Sequence, residues 1–327
     1  MKAVVRYRYG LPDDVLELQD IDKPTVKDEE VLVRVQAVGI HAGDWLMVRG
    51  IPYLMRMAIG LSKPKNIGVG TDVAGYVEAV GKNVKRLQPG DEVFGWCTGA
   101  CAEYTCTVED KLVRKPAGLT FEQAASVPTS AAAAFHGLRK AGELQAGQKV
   151  LIIGASGGVG TFAVQIAKSL GAEVTGVCST RNVDMVQSIG ADHVSDYTQE
   201  DFTQSGEHYD LILDIAGNRP FTESKQALTP EGTLVLAGGK GGPWLNGIGR
   251  TVRATMVSPF IRQNLRGYVS MPNNEDLVAL QDLVESGQVT PVIDRTYALS
   301  ETPEAIGYLG EGHTQGKVVI TVESSNA

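Results

Sequence analysis

The chain has 327 residues, enough for two domains at the usual ~100–200 residues each. Its 30 Lys and Arg against 38 Asp and Glu give a formal charge of −8. That balance disfavours a general nucleic-acid binder, which needs a basic face. Glycine is the outlier: 38 residues, about 12% against a typical ~7%, with no collagen period, so tight backbone turns are expected where it concentrates.

In chain order, the first ~120 residues read as strands and turns. Met1–Arg8 and Glu30–Val38 carry β-type alternation, and Gly75–Val80 and Glu92–Gly95 are shorter apolar runs. Turn signals separate them at Leu11-Pro12-Asp13, Gly81-Lys82-Asn83 and Gln88-Pro89-Gly90-Asp91. Asp44–Arg49 reads as a short helix, and Ile51–Gly68 as a loop or broken helix. At Thr120 the texture changes to an Ala-rich helix running to Lys140, with Thr120 as N-cap. Strands then alternate with helices. Val150–Ile153, Glu173–Cys178, Val194–Ser195, Leu211–Asp214 and Gly232–Ala237 are the strands; Thr161–Leu170, Asn182–Ile189 and Phe221–Leu228 are the helices. Short loops between them predict a parallel sheet with right-handed crossovers. An amphipathic helix at Glu275–Ser286 and strands at Val292–Tyr297 and Lys317–Val322 close the chain.

The N-terminus lacks the apolar core of a signal peptide. The uncharged stretch Val150–Ala167 is broken by four glycines and reads as strand, turn and helix, so no integral membrane segment is expected. Cys97, Cys101, Cys106 and Cys178 fit no zinc spacing and are expected to be reduced thiols in a cytoplasmic protein.

The densest glycine cluster is Gly154-Ala155-Ser156-Gly157-Gly158-Val159-Gly160, following the strand Val150–Ile153 and opening a helix. Ala155, Gly157 and Gly160 take the G-x-G-x-x-G spacing, with Ala in the first slot. The first slot permits the tight turn, the second lets backbone approach a pyrophosphate, and the third lets helix pack on strand. The helix N-terminus offers unpaired N–H groups to the phosphates. The second strand ends Cys178-Ser179-Thr180-Arg181, with no acid to accept from a ribose 2′-OH. Arg181 with the Ser179 and Thr180 hydroxyls suits a 2′-phosphate, which predicts NADPH. The alternative for Arg181 is a solvated arginine opening the next helix. Tyr197 stacks near the adenine, reaches the 2′-phosphate, or is an edge tyrosine.

Several ordered motifs carry a resemblance. Val38-Gly39-Ile40 with Asp44, the run Gly70-Thr71-Asp72-Val73-Ala74-Gly75-Tyr76-Val77-Glu78-Ala79-Val80-Gly81, Gly90-Asp91-Glu92-Val93-Phe94-Gly95 and Gly316-Lys317-Val318-Val319 resemble those of the medium-chain dehydrogenase/reductase superfamily. The resemblance implies an α/β protein in two domains. A GroES-like β-barrel catalytic domain is expected from 1–122 and 270–327, and a Rossmann doubly wound parallel sheet binding NADPH from 123–269, with the active cleft at their junction. Zinc alcohol dehydrogenases of the superfamily have Cys where His41 stands, a His-Glu pair where Thr71-Asp72 stand, and Ser or Thr where Gly43 stands. The chain resembles instead the zinc-independent quinone oxidoreductase and enone reductase branch, so no metal is expected. It differs from that branch at His41-Ala42, where Asn-Pro is usual, and at Ala133, where Thr is common.

The resemblance implies hydride transfer from NADPH to a quinone or an α,β-unsaturated carbonyl compound, by a homodimer. The enolate oxygen needs a hydrogen-bond donor, and His41, as imidazole or imidazolium, is the candidate; Asp44 orients its loop. The alternative is a packed structural histidine. Trp45 and Tyr53 are candidates to stack on a flat acceptor, or pack in core or lid. Phe260 is a candidate pocket wall. Thr129, Gly238, Gly239 and Lys317 complete the cofactor candidates, Lys317 alternatively closing the domain junction. His136 reads as structural. Two other functions stay open: a non-catalytic NADPH-binding sensor or interaction protein, and an alcohol dehydrogenase-like carbonyl reductase.

Overall fold

In chain order the strands are β1 (Lys2–Val5), β2 (Glu17–Asp20), β3 (Glu30–Ile40), β4 (Asp72–Val80), β5 (Glu92–Trp96), β6 (Tyr104–Val108), β7 (Leu112–Arg114), β8 (Lys149–Ile153), β9 (Glu173–Cys178), β10 (His193–Asp196), β11 (Tyr209–Asp214), β12 (Leu228–Leu236), β13 (Asn264–Gly267), β14 (Ile293–Ala298) and β15 (Lys317–Thr321). The computed structural model describes residues 1–238, 244, 247–258, 261–271 and 273–323. The expected Gly239 and Phe260 lie outside the described residues.

Two compact units divide the chain: Met1–Ser130 with Pro272–Gly287 and Pro291–Ala327, and Ala131–Met271 with Gln288–Thr290. Sequence texture places the first boundary at 122; the first unit continues to Ser130. The physical reason is the short helix Phe121–Ser126, which packs on β3, β4 and β15. Thr120 caps it through the Gln123 N–H, and the Gln123 side chain returns the bond to Thr120 N–H, a reciprocal arrangement that fixes the helix start. Residues 288–290 fall with the second unit because the Gln165 amide bonds Thr290 on both its carbonyl and its N–H.

The first unit holds a seven-stranded sheet in the order β14-β15-β3-β4-β5-β7, with β6 also on β3. β3 is its centre: it pairs antiparallel with β15, β4 and β6 at different stretches of its length. That is why its run of Val and Leu is buried on nearly every residue rather than alternating. Gly39 answers to this packing, since a Cβ there would lie 2.1 Å from the Ala125 carbonyl. The core gathers Val31, Val33, Val35, Ile40, Val73, Val93, Leu112, Ile306, Val318 and Ile320.

The second unit holds a six-stranded sheet in the order β10-β9-β8-β11-β12-β13, parallel at every pairing. The chain starts at β8, winds outward to β10, then returns to β11 and winds the other way. The switch point therefore lies between β8 and β11, where open α/β sheets bind ligands at the carboxyl ends of their strands. β13 has little sequence signal: of Asn264–Gly267 only Leu265 is buried.

Candidate active site residues and family

In the second unit, Gly154 ends β8 at φ +91° and stands against Ala216, just past β11. The left-handed turn thus falls on Gly154, one residue before the first slot of the motif. Ala155 instead extends a buried methyl toward Gly176 of β9, and its N–H bonds Val177 O. The helix Gly158–Ser169 follows, opened by Gly157 with no capping side chain. A Cβ on Gly160 would lie 2.0 Å from Gly154 O, so helix and turn touch only because that side chain is absent. At Gly157 a Cβ would meet nothing nearer than Gly154 O at 3.7 Å. The space above Gly157 is open, and the first-turn N–H groups of Gly158, Val159 and Gly160 surround it. This cradle fits a pyrophosphate.

Next to the cradle, β9 and β10 end side by side. Tyr197 N–H bonds Cys178 O, which places the exposed Tyr197 ring and Arg181 at one edge with Ser156, Ser179 and Thr180. Asn182, which the sequence reading passed over, ties the set together. Its buried amide donates to Ser156 Oγ at 2.9 Å and Ser179 Oγ at 3.3 Å, and its Oδ1 is buried with no partner among the described residues. Thr180 departs from expectation: its hydroxyl donates to Asp196 at 2.5 Å instead of standing free for a phosphate. Hydrogen bonds from Thr180 and Thr198 hold the Asp196 carboxyl below the usual range. At the end of β12, Gly238 runs so close to Ile215 O that a Cβ would lie 2.6 Å away.

A second buried arrangement was also not foreseen. Asp214, fully enclosed at the end of β11, accepts from Gly217 N–H and pairs with Arg250 at 2.5 Å. Arg250 sits in the first turn of the helix Ile248–Val257, where the helix dipole disfavours a cation; the Asp214 carboxylate offsets that. Its Nε and Nη1 are buried with no acceptor among the described residues, and orphaned buried donors of this kind are rare. The signal was present in the sequence as an acid ending an apolar strand.

In the first unit a polar cluster forms around β4 and the helix Ala42–Arg49. His41 is the N-cap: its Nδ1 accepts from Gly43 N–H at 3.0 Å, and Asp44 Oδ2 accepts from His41 N–H at 2.9 Å. His41 Nε2 lies 2.8 Å from Thr71 Oγ1. Because Nδ1 is an acceptor, the ring proton sits on Nε2 and is given to Thr71. Burial pushes the imidazole down to about 4, so the ring is neutral at pH 7. His41 thus has no ring N–H left for a further acceptor. Burial also pushes the Asp44 carboxyl up to about 6, against the opposing His41 N–H, Lys317 and Arg6.

Asp72, buried completely at the start of β4, accepts from Thr129 Oγ1 at 2.5 Å and Thr129 N–H at 3.1 Å. Trp96 Nε1–H donates to the same Thr129 oxygen at 3.2 Å. The Thr129 hydroxyl is therefore spent on both sides. Lys317 is likewise internal: its ammonium donates to Ser130 Oγ at 3.0 Å and lies 3.9 Å from Asp72. With 1% exposure, it stands as a buried counter-charge to Asp72. Trp45 packs its indole on Gly310, with Arg49 over the ring at 4.9 Å. Tyr53 stays exposed, with Arg56 over its ring at 4.5 Å. His136 is buried in the second unit between Ser270 Oγ and Lys140 Nζ. All four cysteines are free. Among the described residues no group of three or more His, Cys, Asp or Glu could hold a metal, and no helix is long and apolar enough to cross a membrane.

Comparisons with known proteins fit both units. The alcohol dehydrogenase GroES-like domain family matches residues 27–134, and the family described as zinc-binding dehydrogenase matches residues 189–320. The mouse mitochondrial NAD(P)H oxidoreductase RTN4IP1 is 33% identical over 98% of this chain and 89% of its own. The chain belongs to the medium-chain dehydrogenase/reductase superfamily. Within that superfamily, the chloroplastic NADPH-dependent alkenal/one oxidoreductase of Arabidopsis thaliana is 31% identical over 98% of this chain and 79% of its own. The structure of the quinone oxidoreductase from Coxiella burnetii superposes with a TM-score of 0.86 at 28% identity, covering 99% of each chain. These relatives fit the GroES-like plus Rossmann architecture described above.

Proposed function

We propose that this superfamily member is an NADPH-dependent oxidoreductase that transfers hydride to a quinone or an α,β-unsaturated carbonyl compound. The observation that carries the reading is the open cradle at Gly157, framed by helix N–H groups at the switch point of the parallel sheet. Relatives that are quinone and alkenal/one oxidoreductases support the acceptor class. NADPH bound there supplies the hydride; the protein supplies position and electrostatics. Gly157, Gly158, Val159 and Gly160 take the pyrophosphate by backbone. Ser156 and Ser179, aligned by Asn182, with Arg181 and Tyr197, take the adenine-ribose end. Gly238 and the Asp214–Arg250 pair border the nicotinamide end. The reaction is proposed without a metal, on the donor set: the first-unit cluster offers one imidazole, and its carboxylates are already held by internal donors.

The assembly is proposed to be a homodimer through β13. That strand has β12 on one side only among the described residues, and Val269 and Met271 just beyond it are exposed. Light scattering of wild type against a Val269→Asp, Met271→Asp variant tests this. A cytoplasmic location remains part of the proposal, supported by four free cysteines, a pattern suited to a reducing compartment.

The deciding experiment mixes the protein with NADPH and a panel of 1,4-benzoquinone, 9,10-phenanthrenequinone and short and long enones, following nicotinamide absorbance. Turnover on at least one acceptor is expected. Tight NADPH binding with turnover on none would replace the reductase with a cofactor-binding sensor.

A further inference from the structure

We propose that the stretch Tyr53–Ile67 of the first unit is a docking surface for an anionic lipid bilayer, lying on the membrane without spanning it. The inference rests on the first unit alone and is independent of the reductase reading.

The stretch is built inside out. Short helical turns cover Tyr53–Met55 and Arg56–Ile59, and their charged residue is turned inward. Arg56 Nε donates to Gly50 O at 2.9 Å and Nη2 to Arg49 O at 3.3 Å, carbonyls at the end of the helix Ala42–Arg49. Its guanidinium lies 4.6 Å from the Tyr9 ring and 4.5 Å from the Tyr53 ring. The apolar residues take the outside. Leu54 is 52% exposed, Met55 41%, Met57 71%, Leu61 72% and Ile67 38%. Leu54 and Met57, three apart, share one side of the helical turn, and Leu61 follows across Gly60. Single exposed apolar residues are ordinary, but a run of them on one stretch marks an interaction site.

This exposure does not come from a loose backbone. The Tyr9 hydroxyl donates to Gly60 O at 2.8 Å. Lys65 N–H returns to Ile59 O at 2.8 Å, and Arg6 N–H bonds Ile67 O at 2.9 Å. A Cβ on Gly60 would stand 2.0 Å from Lys63 O, so the turn from Gly60 to Lys65 closes tightly on itself. Pro52, Gly60 and Pro64 are buried. The fold pins the stretch from within and leaves its Leu and Met side chains in water.

Charge selects the partner. The chain carries −8 overall, yet from Trp45 to Thr71 it has Arg49, Arg56, Lys63 and Lys65 and no Asp or Glu. Arg49 lies over Trp45 and Arg56 faces inward. Lys63 and Lys65, both exposed, are therefore the cations that meet a partner. Lysine is depleted in protein–protein interfaces. Beside exposed Leu and Met it suits a lipid surface, where apolar tips enter the acyl boundary and ammonium groups stay among the headgroups. Anionic headgroups, as on a cytoplasmic leaflet, complement them. The stretch is too short, and too interrupted by Lys63, Pro64 and Lys65, to span a bilayer.

Sedimentation of the full chain with sucrose-loaded vesicles tests this, using phosphatidylcholine alone or phosphatidylcholine with about one third phosphatidylglycerol. Wild type is expected to sediment with the anionic vesicles at 50 mM salt, to be largely released at 300 mM, and to stay in solution with phosphatidylcholine alone. Lys63→Gln and Lys65→Gln should each weaken the partition about fivefold. Met57→Ser with Leu61→Ser should weaken it at least about tenfold. Val252→Ser with Met256→Ser, an exposed apolar pair of the second unit, should bind as wild type does. All of these positions are exposed, and urea midpoints near that of wild type check that each variant is folded. A wild type that ignores the anionic vesicles overturns the proposal, as does a Met57→Ser, Leu61→Ser variant that binds normally or a second-unit pair that loses as much. If light scattering then shows a lower mass for the Met57→Ser, Leu61→Ser variant, the face belongs to a second copy of the chain. Because the readout is binding, a protein that reduces no acceptor still decides the question.

Discussion

Lys317 and Asp72 hold opposite charges 3.9 Å apart in the interior of the first unit, each with 1% exposure or less. Burial pushes the Lys317 ammonium below its ordinary range and the Asp72 carboxyl above it, and each opposes the other's shift. A pair taken out of water gains little over an apolar replacement, but breaking it strands one charge.

Lys317→Met and Asp72→Asn are therefore each expected to destabilise the first unit by roughly 3–5 kcal/mol. The double variant should recover much of that loss. Urea unfolding followed by tryptophan fluorescence measures both, and a double variant as unstable as the sum of the singles would refute the pairing. NADPH affinity should be nearly unchanged in whatever fraction stays folded, because neither charge belongs to the cradle.

The legibility of these features differs by scale. β8, β9 and the turn at Gly154–Gly160 were readable because a parallel strand buried on both faces is a continuous apolar run, and because glycine spacing answers to backbone geometry. The cofactor elements thus have local causes. The polar cluster of the first unit does not: His41, the pair Thr71-Asp72, Thr129 and Lys317 come from four separate segments, and only pairing of β3 with β4 and β15 collects them. Sequence alone showed His41 as a lone imidazole near the reaction and could not show that Gly43 and Thr71 take both its nitrogens. β13 and the helix Thr302–Glu311 were missed for different reasons. The first has a single buried residue; the second contains two glycines, Gly307 and Gly310, which lower helix propensity.

His41 and Asp44 titrate in opposite senses, which makes a pH prediction. Asp44 has a folded value near 6 against an unfolded value near 3.8, so its contribution is fully present below the unfolded value and is lost as pH rises toward 6. His41 has a folded value near 4 against 6.5, so its contribution is present above 6.5 and is lost as pH falls toward 4. Between about pH 4 and 6 the two slopes cancel, and wild-type stability contributed by this pair should be flat. His41→Asn keeps an N-cap and removes the imidazole; its stability should fall as pH rises from 4 to 6, by about 1–3 kcal/mol. Asp44→Asn should show the opposite slope. Urea midpoints at half-unit pH steps give the answer, and parallel slopes in both variants would contradict the assignment.

The glycines of the cradle separate packing from binding. Gly160→Ala forces a Cβ to within 2.0 Å of Gly154 O and 2.7 Å of the Ala155 carbonyl carbon, so backbone must move and the second unit should lose stability. Gly157→Ala meets nothing nearer than 3.7 Å, so its melting temperature should stay within a few degrees of wild type. The new methyl nevertheless occupies the space assigned to the pyrophosphate, and NADPH affinity should drop at least about tenfold, or ~1.4 kcal/mol. Nicotinamide fluorescence titration distinguishes the two. A Gly157→Ala protein that binds NADPH normally would move the phosphate site elsewhere.

Cofactor choice turns on the edge where β9 and β10 end. Arg181 is the cation there, and Asp196 beside it is an acid fixed by the Thr180 and Thr198 hydroxyls. A 2′-phosphate brought to this edge needs Arg181 to outweigh Asp196, whereas a 2′-hydroxyl gains little from either. Arg181→Asp should therefore weaken NADPH by well over tenfold while changing NADH about twofold or less, since removing a charge-assisted partner leaves two acids facing the phosphate. The NADPH effect should shrink as salt rises from 50 to 300 mM, because the edge is exposed and screened. Asp196→Asn should tighten NADPH modestly and leave NADH unchanged. Equal weakening of both cofactors by Arg181→Asp would mean that the arginine supports the fold of the β9 edge and does not read the phosphate.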